Sequence, residues 1–168
     1  MCGLVGVMGN TITEDVKKAF HDMLYLDGVR GDDSTGVAAI SNAFNNLTEV
    51  ELFKSTGGAA ELFYEHTPSK RARTLTNKLV NIYMGHNRYA TQGLVNVDNA
   101  HPFNFENVVG AHNGTVSLQS IKSFHGWLDF NVDSQIIFSH LSHTQDIREV
   151  WKTADGALAL TWYDKVRK

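Results

Sequence analysis

The only cysteine of the chain is its second residue, Cys2, directly after the initiator methionine. A small residue at that position is one from which the methionine can be trimmed, leaving a thiol and a free α-amine on the same residue. An α-amine ionises near pH 7.7–8 and a thiol near 8.5, so such an amine can serve as the proton acceptor for a thiol nucleophile. Read without that trimming, Cys2 is a small apolar residue that begins a strand. Further along, Asn113-Gly114 follows the apolar run Val108-Val109-Gly110-Ala111-His112. A side-chain amide and a backbone N–H at a strand end can converge on one anionic oxygen; the same dipeptide is also a common hairpin turn. Arg88 lies in the polar stretch Gly85-His86-Asn87-Arg88-Tyr89-Ala90-Thr91-Gln92-Gly93. It is suited either to gripping a carboxylate with two parallel hydrogen bonds or to a surface ion pair. Asp133 precedes a helical pattern, where it can cap the helix or bind a ligand ammonium group.

The elements that would carry these residues are legible from periodicity. Leu4, Val5 and Val7 form a first strand among Gly3, Gly6 and Gly9, and Thr13-Glu14-Asp15 is a helix start with acids over the positive helix end. The stripe Val16, Ala19, Phe20, Met23 and Leu24 then predicts the buried face of that helix, with Gly28 as its stop. Strands are predicted around 37–40, 50–53, 80–84 and 108–111, a short helix over 59–66, and a helix from Asp133 through Ile136, Ile137, His140 and Leu141. Gly156 to Tyr163 is nearly unbroken in apolar character, which predicts a strand buried on both faces. Strands flanked by helices indicate a mixed, layered α/β fold.

Composition narrows the class. The chain has 168 residues, 42% hydrophobic and 20% charged, with a net charge of -3. That is the size and balance of one globular domain spanning 1–168, with no general attraction to nucleic acid or to an anionic membrane. A single cysteine excludes an internal disulfide and a multi-cysteine zinc site. No apolar run is long enough for a membrane span, and no basic residue precedes Lys17, so a secretory leader is not expected and a cytoplasmic location is. The basic run Lys70-Arg71-Ala72-Arg73 reads as a solvated surface. His140 and His143 with Asp146 have the spacing of one helical face and form an alternative metal site, whereas His86, His101 and His112 read as strand-end histidines around the polar site.

Taken in order, Cys2-Gly3-Leu4-Val5-Gly6, Arg30-Gly31-Asp32-Asp33-Ser34-Thr35-Gly36, the Gly85–Gly93 stretch, Asn99-Ala100-His101-Pro102-Phe103, His112-Asn113-Gly114, Asp133-Ser134-Gln135 and Gly156-Ala157-Leu158-Ala159 resemble the class II glutamine amidotransferase domain, an N-terminal-nucleophile hydrolase. Each piece is short, and their shared order from residue 2 to about 160 carries the likeness. The resemblance implies an α+β fold, a four-layer αββα sandwich, here minimal or C-terminally shortened. It implies that Cys2 is the nucleophile with its own amine as base, that Asn113 and Gly114 form an oxyanion hole, and that Arg88 and Asp133 bind the head group of glutamine. Arg30 would shape the loop over Cys2 and Thr91 would line the pocket. No cofactor and no metal are implied. Glutamine is the implied substrate, and a separate synthase in trans the implied consumer of ammonia, since no synthase domain follows within the chain. Tyr89 and Gln92 stand where the sugar-phosphate synthases have tryptophan and histidine. Two other functions fit the same residues: an amidohydrolase of a different γ-glutamyl amide, and a non-catalytic domain that senses glutamine or binds a partner.

Overall fold

The computed structural model describes residues 2–42, 48–65 and 80–167. Strand β1 (Gly3–Met8) leads into helix α1 (Glu14–Leu26), which tightens into a 3-10 turn over Asp27–Arg30. Strands β2 (Ser34–Asn42) and β3 (Thr48–Thr56) form an antiparallel pair, followed by one π-helical turn at Glu61–Glu65. After β4 (Ile82–Arg88) come the short β5 (Phe103–Asn104), then β6 (Val108–Val116), helices α2 (Asp133–Thr144) and α3 (Ile147–Thr153), and β7 (Gly156–Asp164). The basic run 70–73 and His66 lie outside the described residues.

The strands make two antiparallel sheets, ordered β1-β4-β2-β3 and β5-β6-β7. Period-2 alternation sorts their side chains into layers. Val37 and Ala39 of β2 face α1, packing with Phe20, Leu24 and Tyr83. Ala38 and Ile40 point the other way and meet Met84, Val109 and Ala111 between the sheets. On the far side, Phe138, Ile136 and Leu141 of α2 and Val150 of α3 close over Val108, Val116 and Phe103. The order is helix, sheet, sheet, helix, the expected four-layer sandwich. Fully buried anchors such as Phe20, Leu24 and Phe138 each contribute about 1.5–3 kcal/mol through removal from water.

Three local expectations are corrected. Thr13 does cap α1, its Oγ1 accepting from Val16 N at 3.4 Å. The buried stripe, however, is Lys17, Phe20, His21 and Leu24, while Val16 and Met23 face outward. The Lys17 stem lies buried with its amine reaching Glu14 at 2.7 Å, and the His21 ring packs on Phe63, so two nominally polar side chains supply apolar cover. Gly28 does not stop the helix, because Asp27 is its C-cap and the chain continues as a 3-10 turn. Finally, β7 is not buried on both faces. It borders the second sheet, pairing with β6 alone among the described strands, and Trp162 is 40% exposed. An apolar run marks a doubly covered strand only where neighbours exist to cover it.

Candidate active site

Strand register brings the start of the chain and the end of β4 together. Gly3 pairs with Asn87 and Ser34 with Arg88, so Cys2, Arg88 and the 30–33 segment meet at one edge of the first sheet. The second sheet joins them through β6. Asn113 Nδ2 donates to the Cys2 carbonyl at 2.8 Å, and His86 Nε2 donates to the His112 carbonyl at 3.1 Å. Asn113 and Gly114 are interior to β6, which runs on to Val116, so the hairpin-turn reading of this dipeptide is excluded. Gly114 has φ 154°, and a Cβ there would collide with the Ala157 carbonyl across β7; only glycine fits.

Cys2 is buried. Its sulfur accepts the Tyr89 N–H at 3.3 Å and its thiol donates to the Tyr89 carbonyl at 3.5 Å. Its backbone carbonyl is held from two sides, by Asn113 Nδ2 and by Arg30 Nε at 2.9 Å. Arg88 is also buried, donating through one guanidinium nitrogen to the Leu94 carbonyl at 3.2 Å and through the other to the Gln92 carbonyl. Burial pulls the Arg88 guanidinium below its usual value, opposed by the nearby Cys2, Asp33 and Asp133. Asp133 is not the helix cap; Val132 holds that position. Instead the Asp133 carboxylate accepts from Val116 N at 2.8 Å and Ser134 N at 2.9 Å, tying the start of α2 to the end of β6. Thr91 shares a 3.1 Å hydroxyl contact with Thr115.

The slot these groups enclose is lined by Cys2, Arg88, Thr91, Gly114 and Asp133, with His101, His112 and Ser134 behind them. Its free volume is about 10 Å³, room for roughly one water. A molecule larger than water does not fit this arrangement, in which Arg88 is engaged by the Leu94 and Gln92 carbonyls. The histidines form an uncharged wall. The His86 and His101 rings lie 4.0 Å apart with their planes tilted by 32°, and burial pushes His86 down to about 3 and His101 well below its usual value. His112 Nε2 donates to the Ala157 carbonyl at 3.1 Å, which leaves Nδ1 to accept from Ser134 Oγ at 2.9 Å.

Every residue singled out from the sequence for this chemistry thus reaches one site, Asn113 and Arg30 by way of the Cys2 carbonyl. Others were not singled out. Asp33 accepts from Ala90 N at 2.7 Å and donates its own N–H to the Arg88 carbonyl at 3.0 Å, fixing the turn that carries Tyr89. Its signal was present, inside the Arg30–Gly36 motif. The Tyr89 N–H has none, because a backbone donor belongs to any residue. The alternative metal site is not assembled. Asp146 caps α3 and pairs with Arg148 at 2.7 Å, while His140 and His143 stack on Phe124 and His125. Among the described residues no group of three side chains is placed to hold a metal ion.

No family model matches the chain. It is 29% identical over 174 residues to a glutamine–fructose-6-phosphate aminotransferase of Bartonella henselae, covering 95% of this chain and 26% of the relative. Over 118 residues it is 36% identical to the protein of that name from Streptococcus pneumoniae, covering 69% of this chain and 17% of the relative. The structure of glutamine phosphoribosylpyrophosphate amidotransferase from B. subtilis superimposes with a TM-score of 0.68 at 18% identity, covering 98% of this chain and 35% of that one. The likeness is to the class II glutamine amidotransferase domain. The N-terminal-nucleophile fold extends over nearly the whole chain, which spans 26% of the length of the Bartonella henselae relative and 17% of the Streptococcus pneumoniae one. Among the described residues, no helix is long and apolar enough to cross a membrane.

Proposed function

We propose that this chain is a glutamine amidotransferase domain that hydrolyses the side-chain amide of glutamine to glutamate and ammonia. The observation that carries the reading is the placement of a buried cysteine beside Asn113 and Gly114 on one side and Arg88 and Asp133 on the other. With Met1 removed, the Cys2 amine takes the thiol proton as sulfur bonds to the carboxamide carbon. The oxyanion is stabilised by Asn113, whose amide has a second N–H beyond the one on the Cys2 carbonyl, and by the Gly114 N–H. The amine returns the proton to the departing nitrogen, the C–N bond breaks and ammonia leaves. Water then cleaves the thioester, restoring the thiol and giving glutamate.

Arg88 holds the substrate carboxylate and Asp133 the ammonium; a carboxylate has about four acceptor sites, so the two bonds to Val116 and Ser134 leave room. Thr91 lines the pocket and Arg30 keeps the loop over Cys2 closed. Ammonia passes to an acceptor, as the aminotransferase names of the longer relatives suggest. If Met1 stays attached, residue 2 offers an amide nitrogen instead of an amine and turnover stops. The reading is tested by assaying glutamate release for the purified chain and for Cys2→Ala, with intact mass measured on both. Turnover by a Met1-free wild type, absent from Cys2→Ala, is the expected result; activity surviving in Cys2→Ala overturns it.

A further inference from the structure

Asp27 is a carboxylate in an unfavourable place. It is the C-cap of α1, whose last turn holds no basic residue, and at the same time the first residue of the 3-10 turn that ends at Arg30. Its Oδ2 is buried without a hydrogen-bond partner, a condition that costs stability. A buried carboxylate oxygen without a partner asks for an explanation from its surroundings. The side chain touches two things. A Cβ on Gly3 would collide with Asp27 Oδ2, so the carboxylate rests on β1 one residue past Cys2. Asp27 Oδ1 lies 3.7 Å from Arg30 Nε, and that same Nε donates to the Cys2 carbonyl at 2.9 Å.

We propose that Asp27 is a positioning residue for Cys2, acting through Arg30; this rests on the reading of Cys2 as the nucleophile. The Arg30 side chain is 43% exposed and long, so without a fixed anion beside it the guanidinium is free to turn toward solvent. The Cys2 carbonyl would then be held by Asn113 alone, the residue also needed for the oxyanion. Asp27 therefore fixes the pose of the nucleophile and leaves the pocket for the glutamine head group untouched.

The variants Asp27→Asn, Arg30→Gln and the pair of them separate this from a structural role. Asp27→Asn keeps shape and removes charge. It is expected to lower kcat about tenfold with KM within about twofold, as a slightly misplaced reacting group does. It should slow alkylation of Cys2 by iodoacetamide by a similar factor, with a melting temperature no lower than wild type. Adding Asp27→Asn to Arg30→Gln should cost nothing further. Unchanged kcat and alkylation in Asp27→Asn, or losses that multiply in the double variant, overturn the proposal. Alkylation reads the pose of Cys2 whether or not glutamine is turned over, so a failure of the glutaminase reading is seen separately as a wild type without activity.

Discussion

Two concavities of this molecule differ in nearly every property. The slot at Cys2 has room for about one water and is walled by a buried arginine, a buried aspartate and neutral histidines. The groove between α3 and β7 offers about 520 Å³, lined by Ile147, Trp151, Leu160 and Trp162, with Arg148 and Lys152 at its rim. Those rim charges are already satisfied, Arg148 by Asp146 at 2.7 Å and Lys152 by Glu149 at 3.8 Å. The larger space therefore has nothing to aim at a reacting bond, whereas the smaller one brings a thiol, a buried guanidinium and a buried carboxylate together. Volume ranks the two in one order and chemistry in the other.

The contrast is broken most directly at Asn113, the proposed oxyanion donor. Asn113→Ala is expected to lower kcat for glutamine by roughly a hundredfold to a thousandfold, about 2.7–4 kcal/mol of transition-state stabilisation. Steady-state kinetics on the Met1-free protein checks it. A smaller loss is expected from Arg88→Lys. Losing the guanidinium fork should reduce kcat/KM about tenfold to a hundredfold, as hydrogen bonds to charged groups are worth about 1.5–3 kcal/mol. The defect should vanish for amides that lack a free amino-acid head group, which a substrate panel would show.

Acid stability sharpens the same comparison. His86 is neutral in the folded state, with its pKa pushed down to about 3, and His101 and His112 are shifted the same way. In the unfolded chain these groups take up protons near pH 6.5. Stability from their burial is therefore complete above pH 6.5 and falls as pH drops from there toward the folded-state value. From pH 7 to pH 5 the loss should be about 2 kcal/mol for His86. Chemical denaturation at the two pH values measures it, and His86→Gln should flatten the dependence. The smallest effect is expected at the groove: Trp162→Gln should leave kcat/KM for glutamine within about twofold, since it touches no residue of the slot.

Much of the site was readable because its residues carry their chemistry in their type. Cys2, Arg88, Asn113, Gly114 and Asp133 lie in short motifs; the structure lines one slot with four of them and ties Asn113 to the Cys2 carbonyl. The layers were also readable, from runs such as Val37–Ile40 whose alternate residues face α1 and the second sheet. What escaped depends on neighbours rather than on pattern. The face of α1 was placed one position away, because periodicity counts Lys17 and His21 as polar while the fold uses their apolar atoms. The strand β7 was overburied, because an apolar run carries no information on whether a strand lies beside it. Helix α3 was missed; it has only seven residues and starts on the capping bond from Arg148 N to Asp146 at 3.0 Å. Asn113-Gly114 has the composition of a turn, yet pairing with Ala159 and Leu158 keeps it in β6.

The claim on which all of this depends is that sulfur at the start of the chain faces a site shaped for a free amino acid. Treating the protein with the glutamine analogue 6-diazo-5-oxo-L-norleucine and mapping the adduct by peptide mass spectrometry tests it. The account predicts one adduct per chain, on Cys2 of molecules that have lost Met1, suppressed by excess glutamine and weakened in Arg88→Lys. An adduct elsewhere, or labelling of Cys2 that excess glutamine does not suppress, would contradict it.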